Sequence, residues 1–271
     1  MRPFFLFAVA TAALCAVCPA AAQPDARAAS FLAEGRRALQ SGVDLGSADS
    51  LMAASAAFAL AARAADPATA AWATYHAALT DYRLTLHHAV RGDRQRAVEF
   101  VRRGVGQAEA LAAQRSADPD LEAETEALLA RLYGMYISVE PARGAELGPK
   151  GDRATERSLA LRPDNPRVAL FNAIGLYNTP PEWGGDPDRA VDEFVRAAAL
   201  FEEEGADPVR ARWGADEPWI WLGQAYLDRG DLPAARRAID RAAALNPRSI
   251  RVHRGLIPRL EQAEGAAHEG E

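Results

Sequence analysis

The chain is nearly without cysteine: two in 271 residues, Cys15 and Cys18, both near its start. Beyond them there is no thiol to form a disulfide or a thiolate metal site. Aromatic residues make up only 7%, and runs of β-branched residues are missing. The alternating strands of a sandwich or barrel therefore have little to be built from. Positive charge is not in excess. Lys and Arg total 31 against 37 Asp and Glu, for a net charge of −6. That argues against a nucleic-acid partner, which calls for a basic face. After the first residues, no apolar run is long enough to cross a bilayer, so no integral membrane segment is expected once they are removed.

What is present is a helix-forming composition rich in Ala, Leu, Arg and Glu. Residues 1–22 read as a secretory signal peptide. Arg2 supplies a basic start, residues 4–17 an apolar core, and Ala20-Ala21-Ala22 before Gln23 a small-residue cleavage site. Leu14 precedes Cys15 and Val17 precedes Cys18. A lipoprotein signal needs a small residue there, so a lipid anchor is not expected. The chain is expected to be exported, periplasmic or secreted, after cleavage near Ala22/Gln23. Roughly 250 mature residues are ample for a stacked helical core without cross-links.

The most regular stretch lies near the end, at about 216–249. Trp219, Leu222 and Tyr226 recur at helical spacing, with Gly223 beside them. A helix-interior glycine costs about 1 kcal/mol against alanine and points to close approach of another helix. Gly230-Asp231 breaks this helix and caps the next, where Pro233 is harmless in the first turn. Ala235, Ile239 and Ala242 form the facing stripe, and Asn246-Pro247 ends it. This spacing resembles the helix–turn–helix unit of the tetratricopeptide repeat family, whose period is about 34 residues.

Weaker copies fill the chain from 23 to about 263. Ala54, Phe58 and Ala61 reproduce the second-helix spacing. Trp72, Tyr75, Leu79, Tyr82 and Leu86 line a first helix that Gly92-Asp93 ends. Leu128, Leu132 and Met135 or Tyr136 line a third, with Gly134 at the repeat's glycine position. Pro141, Gly144, Gly148, Pro149 and Gly151 predict a long loop. Phe171, Ile174 and Gly175 pair with Ala190, Phe194 and Ala197. A helix at about 249–261, interrupted by Pro258, would cap the stack. Residues 264–271 are expected to be a disordered tail. The predicted fold is all-α: a right-handed solenoid of about five helical hairpins with a C-terminal capping helix.

Three features go beyond a generic repeat: the loop Asn178-Thr179-Pro180-Pro181-Glu182-Trp183-Gly184-Gly185-Asp186, the Arg212-Trp213-Gly214 motif, and the near-perfect last repeat. Over about 165–260 the chain resembles exported bacterial tetratricopeptide-repeat proteins with a Thr-Pro-x-x-aromatic-Gly-Gly loop and a Trp-Gly motif before the last repeat. The resemblance implies a scaffold in the cell envelope that binds a protein or peptide partner. A fainter similarity is to the repeat-containing accessory component of TRAP transporters, which implies ligand handling instead.

No catalytic constellation emerges, so the chain is expected to be non-catalytic, with no cofactor and no metal. His87 and His88 are adjacent on a helix and diverge by about 100°, and His76 is too far along the helix to join them. Solvated or cap-adjacent roles suit all three. Gly184-Gly185-Asp186 lacks the Lys-Ser/Thr of a phosphate loop and reads as a turn with a capping Asp. Arg91-Gly92-Asp93 sits at a repeat turn. Asp81, Glu99 and Glu109 read as exposed helix faces. Repeat phase places Tyr82, Leu86, Arg131, Met135, Asn172, Leu176, Glu217, Ile220, Gln224 and Asp228 along a concave groove suited to an extended peptide or helix. Trp183 and Trp213, each beside a glycine in a long connection, either plug a gap or rim a ligand site.

Overall fold

The computed structural model describes residues 22–205 and 213–269. The predicted signal peptide, except Ala22, and Arg212 lie outside them. The described residues form eleven α-helices and no strand. They pair as α1 (Ala22–Leu45) with α2 (Ala48–Ala61), α3 (Pro67–Ala89) with α4 (Arg94–Ala113), and α5 (Pro119–Val139) with α6 (Gly144–Leu161). The series continues with α7 (Pro166–Asn178) and α8 (Pro187–Glu203), then α9 (Glu217–Arg229) and α10 (Leu232–Leu245). A π-helical turn at Val252–Leu256 leads into α11 (Ile257–Glu269), which packs on α10. The fold is an all-α solenoid of five helical hairpins with a final helix over the open end.

Local chemistry sets most boundaries. Asp66, Asp93, Asp118, Asn165, Asp186 and Asp231 each accept a backbone N–H of the helix that follows. A proline in the first turn follows five of these caps, all but Asp93, and fixes φ where no hydrogen bond is lost. Gly92 and Gly230, at φ 75° and 74°, end the first helices of their hairpins in the left-handed conformation. In each case the next N–H returns to a carbonyl of the last turn: Asp93 to His88 and Asp231 to Tyr226. The two turns are built alike.

Small residues allow the helices to nest. Ala54, Ala61, Ala97, Ala190, Ala197, Ala235 and Ala242 are fully buried. Gly223 is the packing glycine it was read to be. A Cβ there would lie 2.7 Å from Ile239 Cγ1 and 3.4 Å from Leu256 Cδ1.

Three expectations are corrected. The stretch read as a long loop around Pro141–Gly151 is helical, a short 3-10 turn running into α6 with Pro149 inside it. Burial of Leu147 and Ala154 in the core outweighs the low helix propensity of the intervening residues. Gly134 and Gly175 do not nest against a partner helix as Gly223 does: a Cβ built at Gly134 would meet only Arg131 of its own helix, at 3.9 Å, and one at Gly175 only the Arg131 guanidinium of α5, at 3.7 Å. Finally, α11 runs through Gly265 to Glu269, whereas a disordered tail was expected from 264. Arg236 pairs with Glu264 across α10 and α11.

Candidate functional site

The odd-numbered helices succeed one another along one face, and that face folds back on itself. Helix α3 reaches α9 through Arg83, whose Nη2 lies 2.5 Å from Glu217 Oε1. The end of α1 reaches the end of α10, where one amide serves two acids. Asn246 Nδ2 donates to Asp44 Oδ1 and to Asp216 Oδ2, both at 2.8 Å, and Gln40 Nε2 donates to Asp44 at 2.7 Å. First and last hairpins thus meet along a seam.

Inside the seam the inner face is filled rather than open. Tyr82 meets Phe171 edge-on at 5.8 Å, and Phe171 packs at 5.3 Å against Trp213. The Arg83 and Arg167 guanidinium groups lie 5.4 and 5.6 Å from the Trp213 ring centroid. Arg167, 1% exposed, bonds Glu204 with both Nη atoms and lies 3.6 Å from Glu124. The space left beside Trp213, Leu79 and Glu217 is about 20 Å³, room for about one water. A larger cleft, about 610 Å³, lies apart from this at the α4–α5 turn, lined by Pro67, Trp72, Leu111, Asp118 and Leu121.

Burial shapes the ionisation of this interior. It pushes the carboxyls of Glu124 and Asp216 above the usual range, and the neighbouring charge of Glu217 adds to the effect on Asp216. Burial also opposes ionisation of Glu217, yet Arg83 and Arg251 together hold its carboxyl below the usual range.

The residues assigned to the groove divide into three groups. Tyr82, Glu217 and Ile220 are buried, as is Trp213. Tyr82, Glu217 and Trp213 belong to the interior, whereas Ile220 packs in a separate cluster with Ala235, Ile239 and Leu256; burial keeps Tyr82, Glu217 and Ile220 from meeting a partner, which corrects their assignment as groove contacts. No local pattern announces that the face closes. Gln224 and Asp228 are already engaged. Tyr177 Oη donates to Asp228, Gln224 Nε2 donates to it at 2.8 Å, and Arg259 bridges Gln224 Oε1 and Asp228 Oδ1 at 2.6 and 3.0 Å. This network ties α7, α9 and α11 together.

The third group is accessible. Leu86 of α3, Arg131 and Met135 of α5, and Asn172 and Leu176 of α7 are half-buried. They form a strip beside the filled interior: Leu86 lies one turn beyond Tyr82, Leu176 just over a turn beyond Phe171, and Asn172 next to Phe171. Among the described residues Arg131 has no hydrogen bond or ion pair, and its Nε is shielded without an acceptor. Trp183, 78% exposed, stands apart at the α7–α8 turn. The turn beneath it is tight, since a Cβ at Gly185 would collide with the Thr179 carbonyl oxygen.

Several polar residues are placed differently from their sequence reading. Asp81 is fully buried and receives Arg103 Nε at 2.8 Å and Nη2 at 2.5 Å. His76 is 1% exposed, stacked on Phe58 at 5.1 Å, with neither ring nitrogen bonded. Burial first, then Arg36 and Arg167, lowers its pKa to about 3. His88, by contrast, is cap-adjacent as expected: it is buried against Phe100 and contacts the capping Asp93 at 3.2 Å. Tyr75, Arg83, Glu124 and Arg167, which hold the interior, were not singled out as site residues. A signal for two of them exists: Arg83 directly adjoins the stripe residue Tyr82, and Arg167 lies one turn before Phe171. No group of three or more His, Cys, Asp or Glu side chains suited to a metal ion occurs among the described residues. Nor is any described helix long and apolar enough to cross a membrane.

The Tetratricopeptide repeat family model matches residues 216–257. Those residues are α9, α10 and the π turn, the hairpin whose glycine, alanine stripe and turn have just been described. The chain thus carries a repeat of tetratricopeptide type, set in a solenoid of like hairpins. No curated protein matches. Among solved structures, the "DHF58 filament" is 20% identical over 91% of this chain and 93% of that one, with a TM-score of 0.21. A score that low carries nothing about fold or function.

Proposed function

We propose that this chain is an exported, non-catalytic scaffold that holds a protein partner on the strip formed by Leu86, Arg131, Met135, Asn172 and Leu176. The observation that carries this reading is the division of the inner face. Its deep half is sealed by the protein's own aromatic and ionic contacts. Its outer half leaves apolar side chains and an unpaired cation half-exposed on three adjacent helices. Such a mixed surface on rigid helices suits an extended segment or a helix of another protein. A repeat of tetratricopeptide type is consistent with that use, and residues 1–22 support delivery across a membrane. The alternative role as a transporter's ligand-handling accessory calls for an enclosed chamber, and the interior crevice holds about 20 Å³.

The test is affinity capture from envelope extract with the chain from Gln23 onward, beside a variant carrying Met135→Glu and Leu176→Glu. Both side chains are half-exposed but rest against the core, so a thermal scan first establishes that the variant is folded. A discrete protein recovered by the parent and absent from the variant supports the strip. The same protein recovered by both removes it. Recovery of a solute-binding subunit with a bound small molecule would favour the accessory role.

A further inference from the structure

Resting on that reading, we infer that the strip selects an acidic segment, with Arg131 as the group that pairs with a carboxylate of the partner. The other arginines of this face are all paired. Arg83 meets Glu217, Arg167 meets Glu204 and Glu124, and Arg259 meets Asp228. Each cation that the fold uses is matched by an anion that the fold supplies. Arg131 is not matched, although its guanidinium is partly withdrawn from water and its Nε has no acceptor. A cation that has lost part of its hydration gains most from a carboxylate, which accepts in the planar geometry a guanidinium presents.

The surroundings leave that approach open. Gly134 and Gly175 flank the guanidinium, and Cβ atoms built there would lie 3.9 and 3.7 Å from Nη1 with nothing else within 4 Å. Met135 lies one turn beyond Arg131, and Asn172 and Leu176 lie on the adjoining helix α7. Asn172 has no hydrogen-bond partner among the described residues and offers a donor and an acceptor to a peptide backbone. The chemistry that fits is an Asp or Glu flanked by apolar residues in an extended chain. A basic segment would face Arg131 directly, and Asp228, placed on the same face by repeat phase, is already engaged by Tyr177, Gln224 and Arg259.

The experiment is a display selection of random twelve-residue peptides on the chain from Gln23 onward, repeated on Arg131→Met. Arg131 bonds nothing in the fold, so the variant should melt with the parent, which a thermal scan checks. Parent selections should be enriched in Asp and Glu, and that enrichment should vanish on the variant. For the best peptide, replacing its acid by the matching amide should weaken binding by about tenfold, measured by fluorescence anisotropy. That step needs no change in the protein. Selections without acidic enrichment, enrichment that persists on Arg131→Met, or the absence of any binder would each overturn the inference. A partner captured in the envelope experiment by both the parent and Arg131→Met would overturn it while leaving the scaffold reading intact.

Discussion

His76 shows how much a single side chain can carry when it is sealed in without a partner. Its ring is stacked on Phe58 and contacts Trp72 and Tyr75, and neither nitrogen is bonded. With a folded pKa near 3, it stays neutral in the fold where an unfolded chain binds a proton, near pH 6.5. The unfolded state therefore gains protons first as pH falls. The contribution of His76 is complete above about pH 6.5 and is lost toward pH 3, at up to about 1.4 kcal/mol per pH unit. Asp81, Glu124 and Asp216, raised by burial, act in the opposite sense by favouring the fold as they protonate. The difference between parent and His76→Phe isolates the histidine. Urea denaturation at pH 7 and pH 5 should show the parent losing more stability than His76→Phe, and equal losses would place the ring in water. At this scale the sequence was least legible. The reading of His76 as solvated or cap-adjacent and of Asp81 as an exposed face failed because burial on the inner side depends on which distant helix arrives there. Periodicity marks one apolar stripe per helix, whereas α3 is packed on almost every side by α1, α2, α4, α5 and α9.

Helices and their pairing were far more legible, because the signals are local. Aspartate caps, first-turn prolines and the Gly-Asp turns state their purpose within a few residues. The failures are instructive. Gly134 and Gly175 have the repeat's spacing but not its packing, while Gly223 has both, and spacing alone does not separate them. Pro149 predicted a loop because a helix-interior proline is costly, yet Leu147 beside it is buried in the core and keeps the segment helical. The packing role of Gly223 gives a prediction at the level of the α9–α10 pair. Gly223→Ala would drive its Cβ into Ile239, which is 1% exposed and has no room to move. The clash should outweigh the gain in helix propensity and cost about 1–2 kcal/mol. Gly106→Ala on α4, exposed with nothing within 4 Å of the new atom, should instead stabilise by about 1 kcal/mol. Thermal melts of the two variants should shift in opposite directions. A Gly223→Ala variant that melts as high as or higher than the parent would mean that α9 and α10 are not in close contact at Gly223.

In an open solenoid each repeat touches only its neighbours, so stability is a sum of local terms and the ends fray first. This molecule departs from that rule at the seam. The Asn246 amide has two protons, and it gives one each to Asp44 and Asp216. Those acids belong to the first and last hairpins. Asp44 is 4% exposed and Asp216 is half-buried with a raised carboxyl. Removing the amide leaves two acids facing each other with one fewer donor between them. Asn246→Ala should therefore cost about 1–3 kcal/mol, more than loss of a helix C-cap side chain in water. The cost should shrink as pH falls through the carboxylate range, because a protonated acid can donate to its neighbour. The same substitution should uncouple the ends. Hydrogen exchange of α1 and α10 should speed up in Asn246→Ala, while α5 and α6, remote from the seam, keep their protection. Uniform acceleration would mean a general loss of stability with no special role for the seam. Unchanged exchange at α1 would mean that the ends are not joined in solution. The selective outcome would establish a closed solenoid. Its interior is then committed to holding the ring shut, which leaves the outer strip around Arg131 as the part of the inner face free to bind.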